Sequence, residues 1–509
     1  MVECVTQKNK KAMMGNSGVQ QALFDLDTKT IEDIDNPATY KGIYSFHKYW
    51  GKKPTESIAF FIQKFTNESD VVLDPFLGSG FIARECLSRN RRFIGIDINP
   101  FAIEHSSFLL ELPHASTFQS ALKKIEKNVK QKINETYLVE NGKVASHYLW
   151  NSNKLSKVWL RPETGRLRIE IEPTDFDVQK SEFFDRYSVK NIRNLNFFTN
   201  SRINSKNEMS IYDLFTRRAL HNIDLILDEI YSFPGAIQRA LLLTLTSASG
   251  QMSSMVFAIT NRGKTKNQVS KKIEVGSWVI GYWRPELHFE INVWNCFESR
   301  ATKLYKALIY IDDCEYDRYE SINTLLENKE GASILNGDCI DIMRTIPAKS
   351  IKLICTDPPH SDRIPYLELS EMWNSILNKS VSFEKEVVVS NAKERGKNKN
   401  KYIEDMKSFI SESSRVLADD GILLIYFNAR DKESWKFLEI LEKNDNLSFI
   451  GSCPMEYPVS SVVQDNRKGS MKTDYVLVLK KRGYNINFQN DLNQLPGWST
   501  SVPQIVTES

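Results

Sequence analysis

The chain has 509 residues, of which 41% are hydrophobic and 26% charged, and its formal net charge is +3. This is a soluble globular profile, long enough for two or three domains and a real core. So slight a basic excess permits a nucleic-acid partner without arguing for one, and any phosphate-binding surface has to be local. The seven cysteines (4, 86, 296, 314, 339, 355 and 453) are scattered, with no C-x-x-C pair. That pattern points to a reduced, intracellular chain without a structural zinc, and no metal site is expected. The first residues lack the apolar core of a signal peptide. The most apolar stretch, 236–260, is broken by Gln238, Arg239 and Gln251 and reads as buried helices, not a membrane span. A cytoplasmic location is expected.

In chain order, residues 1–40 are polar and aperiodic and are expected to form a flexible arm. A helix is predicted from Pro54, with Ile58, Phe61, Ile62 and Phe65 on one face. The strand "VVLD" (71–74), a glycine turn, a helix through Leu87 and the strand "RFIGID" (92–97) follow. The α/β rhythm then breaks. Residues 113–330 mix a Lys-rich helix (120–132), a strand-rich patch (157–172), apolar helices between Leu214 and Met255, the basic tract 261–272 and an aromatic run, 276–294. The rhythm returns with strands at 333–338, 351–357 and 421–428, then a closing hairpin of 448–455 and 474–481. A polar tail occupies 486–509. The expected fold is α/β: a Rossmann-like, mostly parallel sheet with a closing antiparallel hairpin, built from 41–112 and 331–485. A large mixed α/β insertion, 113–330, interrupts it.

Two strand ends carry candidate chemistry. In "VVLDPFLGSGFIARECLSRNRRFIGIDINP" (71–100), Gly78 and Gly80 allow close backbone approach to a ligand, and Asp97 lies where an acid can bind ribose hydroxyls. Alone, this stretch is compatible with a dinucleotide turn or with a purely structural one. Asp74 at the strand tip would repel a pyrophosphate but can accept from an ammonium group. The second stretch, "LICTDPPH" (353–360), ends a core strand at Asp357 and stiffens it with Pro358 and Pro359, which hold carboxylate and carbonyls in nearly one geometry.

Taken together, these motifs resemble the amino-directed (N6-adenine or N4-cytosine) DNA methyltransferases over 41–112 and 331–482. "DPFLGSG" with "FIGIDINP" is similar to their cofactor motif, and "DPPH" to a variant of their catalytic motif. "HKYWGKKP" (47–54) is similar to the Lys-Pro segment at the methionine end of their cofactor pocket, and "NGDC" (336–339) to the strand end beside the adenine. The resemblance implies S-adenosylmethionine as cofactor, bound by Lys53, Pro54, Asp74, Pro75, Phe76, Gly78, Ser79, Gly80, Asp97, Ile98, Asp338 and Cys339. It implies catalysis by Asp357, Pro358, Pro359 and His360. Asp357 and the Pro358 carbonyl would accept the two amine hydrogens and make the nitrogen more nucleophilic, and the prolines would fix these acceptors in advance.

A duplex base must leave its stack to be reached. His360 stands where the family has an aromatic ring and is expected to offer the flipped base a stacking face. Asp362 and Tyr366 are further candidates to wall that base. Phosphate contacts are expected from the basic tracts 261–272 and 391–402, through Arg262, Lys264, Lys266 and Lys397. The motif order is similar to the family's α arrangement, though an insertion before the third strand departs from it. The implied activity is site-specific methylation of double-stranded DNA, adenine N6 before cytosine N4. A restriction nuclease or other defence-system subunit is the implied companion, and no membrane is involved. The rival readings are an RNA guanine-amine methyltransferase and a catalytically silent DNA-binding subunit.

Overall fold

The computed structural model describes residues 39–161, 168–260, 273–278, 281–311, 316–428, 435, 446–456, 474–484, 489–501 and 503. Most of the expected arm, the tract 261–272 and much of the tail lie outside them. In chain order the strands are β1 (Val71–Asp74), β2 (Arg92–Asp97), β3 (Ala145–Asn151), β4 (Lys154–Leu160), β5 (Ile169–Ile171), β6 (Val256–Ile259) and β7 (Glu274–Val275). They continue with β8 (Leu287–Ile291), β9 (Ala332–Asn336), β10 (Ile351–Thr356), β11 (Leu417–Phe427), β12 (Leu447–Met455) and β13 (Asp474–Lys481).

Seven of these strands form a mixed sheet in the order β12-β13-β11-β10-β1-β2-β9. The five from β11 to β9 are parallel, and β13 runs antiparallel between β11 and β12. The mixed α/β class with a parallel-rich sheet is therefore as expected. The parallel strands are apolar on both faces because helices cover both. Val72, Phe93 and Leu353 join a core with Phe61, Ile62 and Phe65 of the helix Thr55–Phe65. Their neighbours Val71, Leu73, Ile94 and Ile354 face Met406, Phe409 and Ile410 of the helix Lys399–Val416. Each fully buried side chain of this size contributes about 1.5–3 kcal/mol, so the period-2 split commits the sheet to this register.

The other six strands form an antiparallel sheet in the order β5-β4-β3-β8-β6-β7. The expected strand patch 157–172 is thus part of a larger unit that begins with the β3–β4 hairpin. The Lys-rich helix is longer than predicted, running from Ala115 through a π turn at Glu126–Lys130 to Thr136. Behind this sheet, Arg218 and Glu290 form a buried two-pronged pair at 2.8 and 2.9 Å. The helix Gly235–Met252 packs against Pro100–Leu110 and Val293–Ile309. Among the described residues no helix is long and apolar enough to cross a membrane.

Candidate active site

From the middle of the main sheet, the strand order proceeds through β1, β2 and β9 toward one edge and through β10 and β11 toward the other, all five strands pointing the same way. The strand order reverses between β1 and β10, and ligands of such sheets bind beyond the strand ends at that switch point. Here Asp74 ends β1 and Asp357 follows β10. A cleft of about 830 Å³, counted to its open mouth, lies over them. Its walls include Tyr49, Gly51, Lys53, Asp74, the turn 75–79, Asp97, Ile98, Asp357, Pro359, Tyr366 and Glu386.

On the β1 side, Asp74 is buried, and its Oδ1 accepts from the Thr356 hydroxyl at 2.6 Å and the Phe76 N–H at 3.1 Å. Burial pushes this carboxyl up to about 8. Asp97 accepts from the Gly78 N–H at 2.7 Å and the Asn99 N–H at 2.8 Å, and burial raises it to about 6. The Asp97 carboxylate therefore shapes the glycine turn as well as facing the cleft. Gly80 has φ +72°, and a Cβ there would run into Ser106. Behind the turn, burial pulls His105 down to about 3, so its neutral ring donates through Nδ1 to the Ser79 carbonyl at 2.9 Å.

On the β10 side, Asp357 lies beside a lysine. Lys53 Nζ is 2.6 Å from its Oδ2 and 3.2 Å from Asp474 Oδ2. Pro54 serves as the residue before the helix Thr55–Phe65, one place earlier than a first-turn proline. Lys52 is also buried, donating to the Tyr44 and His47 carbonyls at 2.9 and 2.6 Å, so neither lysine is a solvated helix start. Gly51 has φ +73°, and a Cβ on it would lie 2.8 Å from Tyr366 Oη and 3.6 Å from Asp357 Oδ2. A side chain there would fill the space in front of the acid.

Several expectations about individual residues change. His360 is 5% exposed and does not line the cleft. Its Nδ1 accepts from Arg363 at 3.3 Å, which leaves the proton on Nε2, 3.2 Å from the Tyr426 carbonyl and 2.9 Å from Asp357 Oδ1. Phe427 meets the ring edge-on at 5.2 Å. The imidazole thus packs behind Asp357, and in this arrangement it has no face free for a base. Tyr366 does line the cleft, its ring stacked on Tyr49 at 6.3 Å. Asp338 caps the helix Cys339–Met343 through the N–H groups of Ile340 and Asp341, while Gly337 and Cys339 line the cleft. Asp362 lies outside the lining, 3.9 Å from Arg202. Lys397 is 7% exposed and burial lowers its pKa, so it is not a surface contact for phosphates. Arg262, Lys264 and Lys266 lie outside the described residues.

Sequence reasoning missed Tyr49, Gly51, Glu386 and Asp474. The first two sit inside the quoted segment 47–54, where the lysine and proline drew attention. Glu386 is held by the Leu367 N–H at 3.1 Å and by Arg395 at 2.6 Å, partners 19 and 9 positions away and beyond the reach of helix or strand spacing. Among the described residues no group of His, Cys, Asp and Glu side chains could hold a metal ion.

Comparison with known proteins finds likenesses in the part of the chain that forms the β1 side of the cleft. Residues 7–108, which contain the glycine turn and Asp97, match the family model of the N6/N4 DNA methylases. Over this stretch the chain is similar to the amino-directed DNA methylases. It is similar to the type II methyltransferase M.MjaII of Methanocaldococcus jannaschii, at 36% identity over 61 residues, 12% of each chain. M.XycI of Xanthomonas campestris pv. cyanopsidis is 45% identical over 47 residues, 9% of this chain and 16% of its own. M.HpaI of Haemophilus parainfluenzae is 47% identical over 53 residues, 10% of this chain and 17% of its own. The matches thus span about an eighth to a sixth of these methylases' own lengths.

Proposed function

We propose that this chain methylates an exocyclic base amine in double-stranded DNA, adenine N6 before cytosine N4, with S-adenosylmethionine as methyl donor. The observation that carries the reading is the convergence of Asp74 and Asp357, 283 positions apart, on one cleft at the sheet's switch point. The donor set fits the cofactor. Asp74 is a buried acid suited to an ammonium group, Asp97 suits ribose hydroxyls, and Ile98 with Cys339 suits a flat base. When bound, S-adenosylmethionine supplies an electrophilic methyl carbon.

The chain's own residues do the rest. Asp357 and the Pro358 carbonyl accept the target amine's hydrogens, which concentrates the lone pair on nitrogen. The neighbouring Pro359 carbonyl already accepts from the Tyr402 hydroxyl at 2.7 Å, which fixes the loop. His360 packs behind Asp357, with its Nε2 bonded to the Tyr426 carbonyl. Tyr366, with Tyr49 beneath it, supplies the aromatic wall for a base removed from its stack. Residues 41–112 and 331–485 act as the cofactor and catalytic halves, and 113–330, with its own antiparallel sheet, as the target-recognition insertion. An acid before Pro-Pro supports adenine over cytosine. A restriction nuclease or other defence-system subunit would accompany the activity.

The test incubates the full chain with labelled cofactor and either DNA or RNA, and identifies the modified nucleoside by mass spectrometry. N6-methyladenine in DNA is expected, lost in Asp357→Ala while cofactor affinity stays near wild type. Label confined to RNA guanine would favour the RNA reading, and no label in either would favour a silent DNA-binding subunit.

A further inference from the structure

Asp474 opens β13, a strand carrying none of the motifs above, yet it reaches the centre of the site. It is 1% exposed. Its Oδ1 accepts from Arg363 at 2.8 Å and from Asn428 at 2.9 Å, and its Oδ2 faces Lys53 at 3.2 Å. Lys53 meanwhile donates to Asp357 Oδ2 at 2.6 Å and to the Gly51 carbonyl at 3.2 Å. The lysine therefore uses the carboxylate oxygen in front of Gly51 and Tyr366, where a target amine would have to bond.

We propose that Asp474 is a positioning residue, which holds Lys53 so that Asp357 can exchange the lysine for the target amine. The inference rests on the methylase reading above. Both Lys53 and Asp474 are buried, and an ammonium left without its counter-ion in such a place carries a heavy desolvation penalty. With Asp474 on its other side, Lys53 keeps an anionic partner when Asp357 turns to the substrate. Arg363 and Asn428 keep Asp474 in place throughout. The exchange moves hydrogen bonds only, between an arrangement in which Lys53 bridges two acids and one in which it rests on Asp474. Without Asp474, Lys53 and Asp357 would form a closed pair competing directly with the base.

The experiment compares single-turnover methyl transfer from labelled S-adenosylmethionine to unmethylated genomic DNA, using the full chain. Cofactor affinity and melting temperature are measured alongside. Asp474→Asn should slow transfer by about tenfold or more while cofactor affinity stays within about twofold, because the loss falls on an exchange and not on cofactor binding. The double variant Lys53→Met with Asp474→Asn removes one charge of each sign and should transfer faster than Asp474→Asn alone. A purely structural Asp474 would make the two losses add. Additive losses, or wild-type transfer by Asp474→Asn, would overturn the inference while the wild type's own transfer upholds the function. If Asp474→Asn does not fold, Lys53→Arg replaces it: a guanidinium fork spans both acids and should slow transfer at saturating cofactor. Wild-type transfer by Lys53→Arg would overturn the proposal. No transfer by the wild type would overturn function and inference together.

Discussion

Asp74 and Asp97 owe their behaviour to burial more than to any neighbouring charge. Their carboxyls, raised to about 8 and about 6, bind protons more tightly in the folded chain than in the unfolded one. Their contribution to stability is therefore greatest at low pH and is lost as pH rises through about 6 and then about 8. An ammonium ligand reverses that preference, because it favours the ionised Asp74. Binding below about pH 8 should release a proton, and affinity for S-adenosylmethionine should climb by up to about tenfold per unit between about pH 6 and 8. Calorimetry across that range, in buffers of different ionisation enthalpy, would read both effects, and a flat affinity would remove Asp74 from the ammonium site. At the β10 side the ring that lines the cleft is Tyr366. Tyr366→Ala should cost about 1–3 kcal/mol of base stacking in single-turnover rates at subsaturating DNA. His360→Phe should also slow transfer, since it deletes the bonds to Arg363 and Tyr426 that hold the ring behind Asp357. An active His360→Phe beside an unaffected Tyr366→Ala would return the stacking role to position 360.

Among elements, the helix Tyr366–Ile376 is fastened by several buried side-chain bonds. Its Glu371 accepts from Arg193 at 2.6 and 2.8 Å, and its Glu368 accepts from Asn200 and Arg395, each at 2.6 Å. Asn99, just after β2, donates to Ser370 at 2.9 Å. The apolar spacing of "YLELSEMW" announces a helix with a buried face, and Trp373 is indeed buried against Trp50. That both glutamates would be buried as well could not be read there, because their partners lie 22 to 178 positions away, at separations that local spacing does not encode. In the second sheet, Arg218 reaches Glu290 on β8 and lies over the Tyr148 ring at 4.1 Å. Arg218→Met would leave Glu290 buried without its cation, at a cost of about 3–5 kcal/mol. Denaturant midpoints would measure this, and a shift near zero would mean that water or another group reaches Glu290.

At the scale of the whole molecule, the site depends on strand order. β1 and β10 are neighbours in parallel register, with Leu73 beside Ile354, although more than 270 residues separate them in the chain. That pairing brings Thr356 against Asp74 and Asp357 against Lys53. The hairpin then returns β13 between β11 and β12, which delivers Asp474 to the same place.

Local chemistry was legible in the sequence because local forces write it there. Apolar runs ending at Asp74, Asp97 and Asp357 marked strand tips, glycines marked a turn needing positive φ, and paired prolines marked a stiff loop. β11, which starts at Leu417 four residues before the expected 421, shows how even a legible strand has a boundary set by its neighbours. Which side chains would share a charge, and which ring would face the cleft, were decided only by tertiary packing. His360 reads as an exposed aromatic substitute until the carbonyl of Tyr426 and the guanidinium of Arg363 claim its two nitrogens. Asp474 reads as an ordinary first residue of a strand until the sheet buries it beside Lys53. The physical reason is one of range. Backbone propensity and hydrophobic period act over a few residues, whereas a buried charge takes its partner from whatever segment the fold brings within about 3 Å.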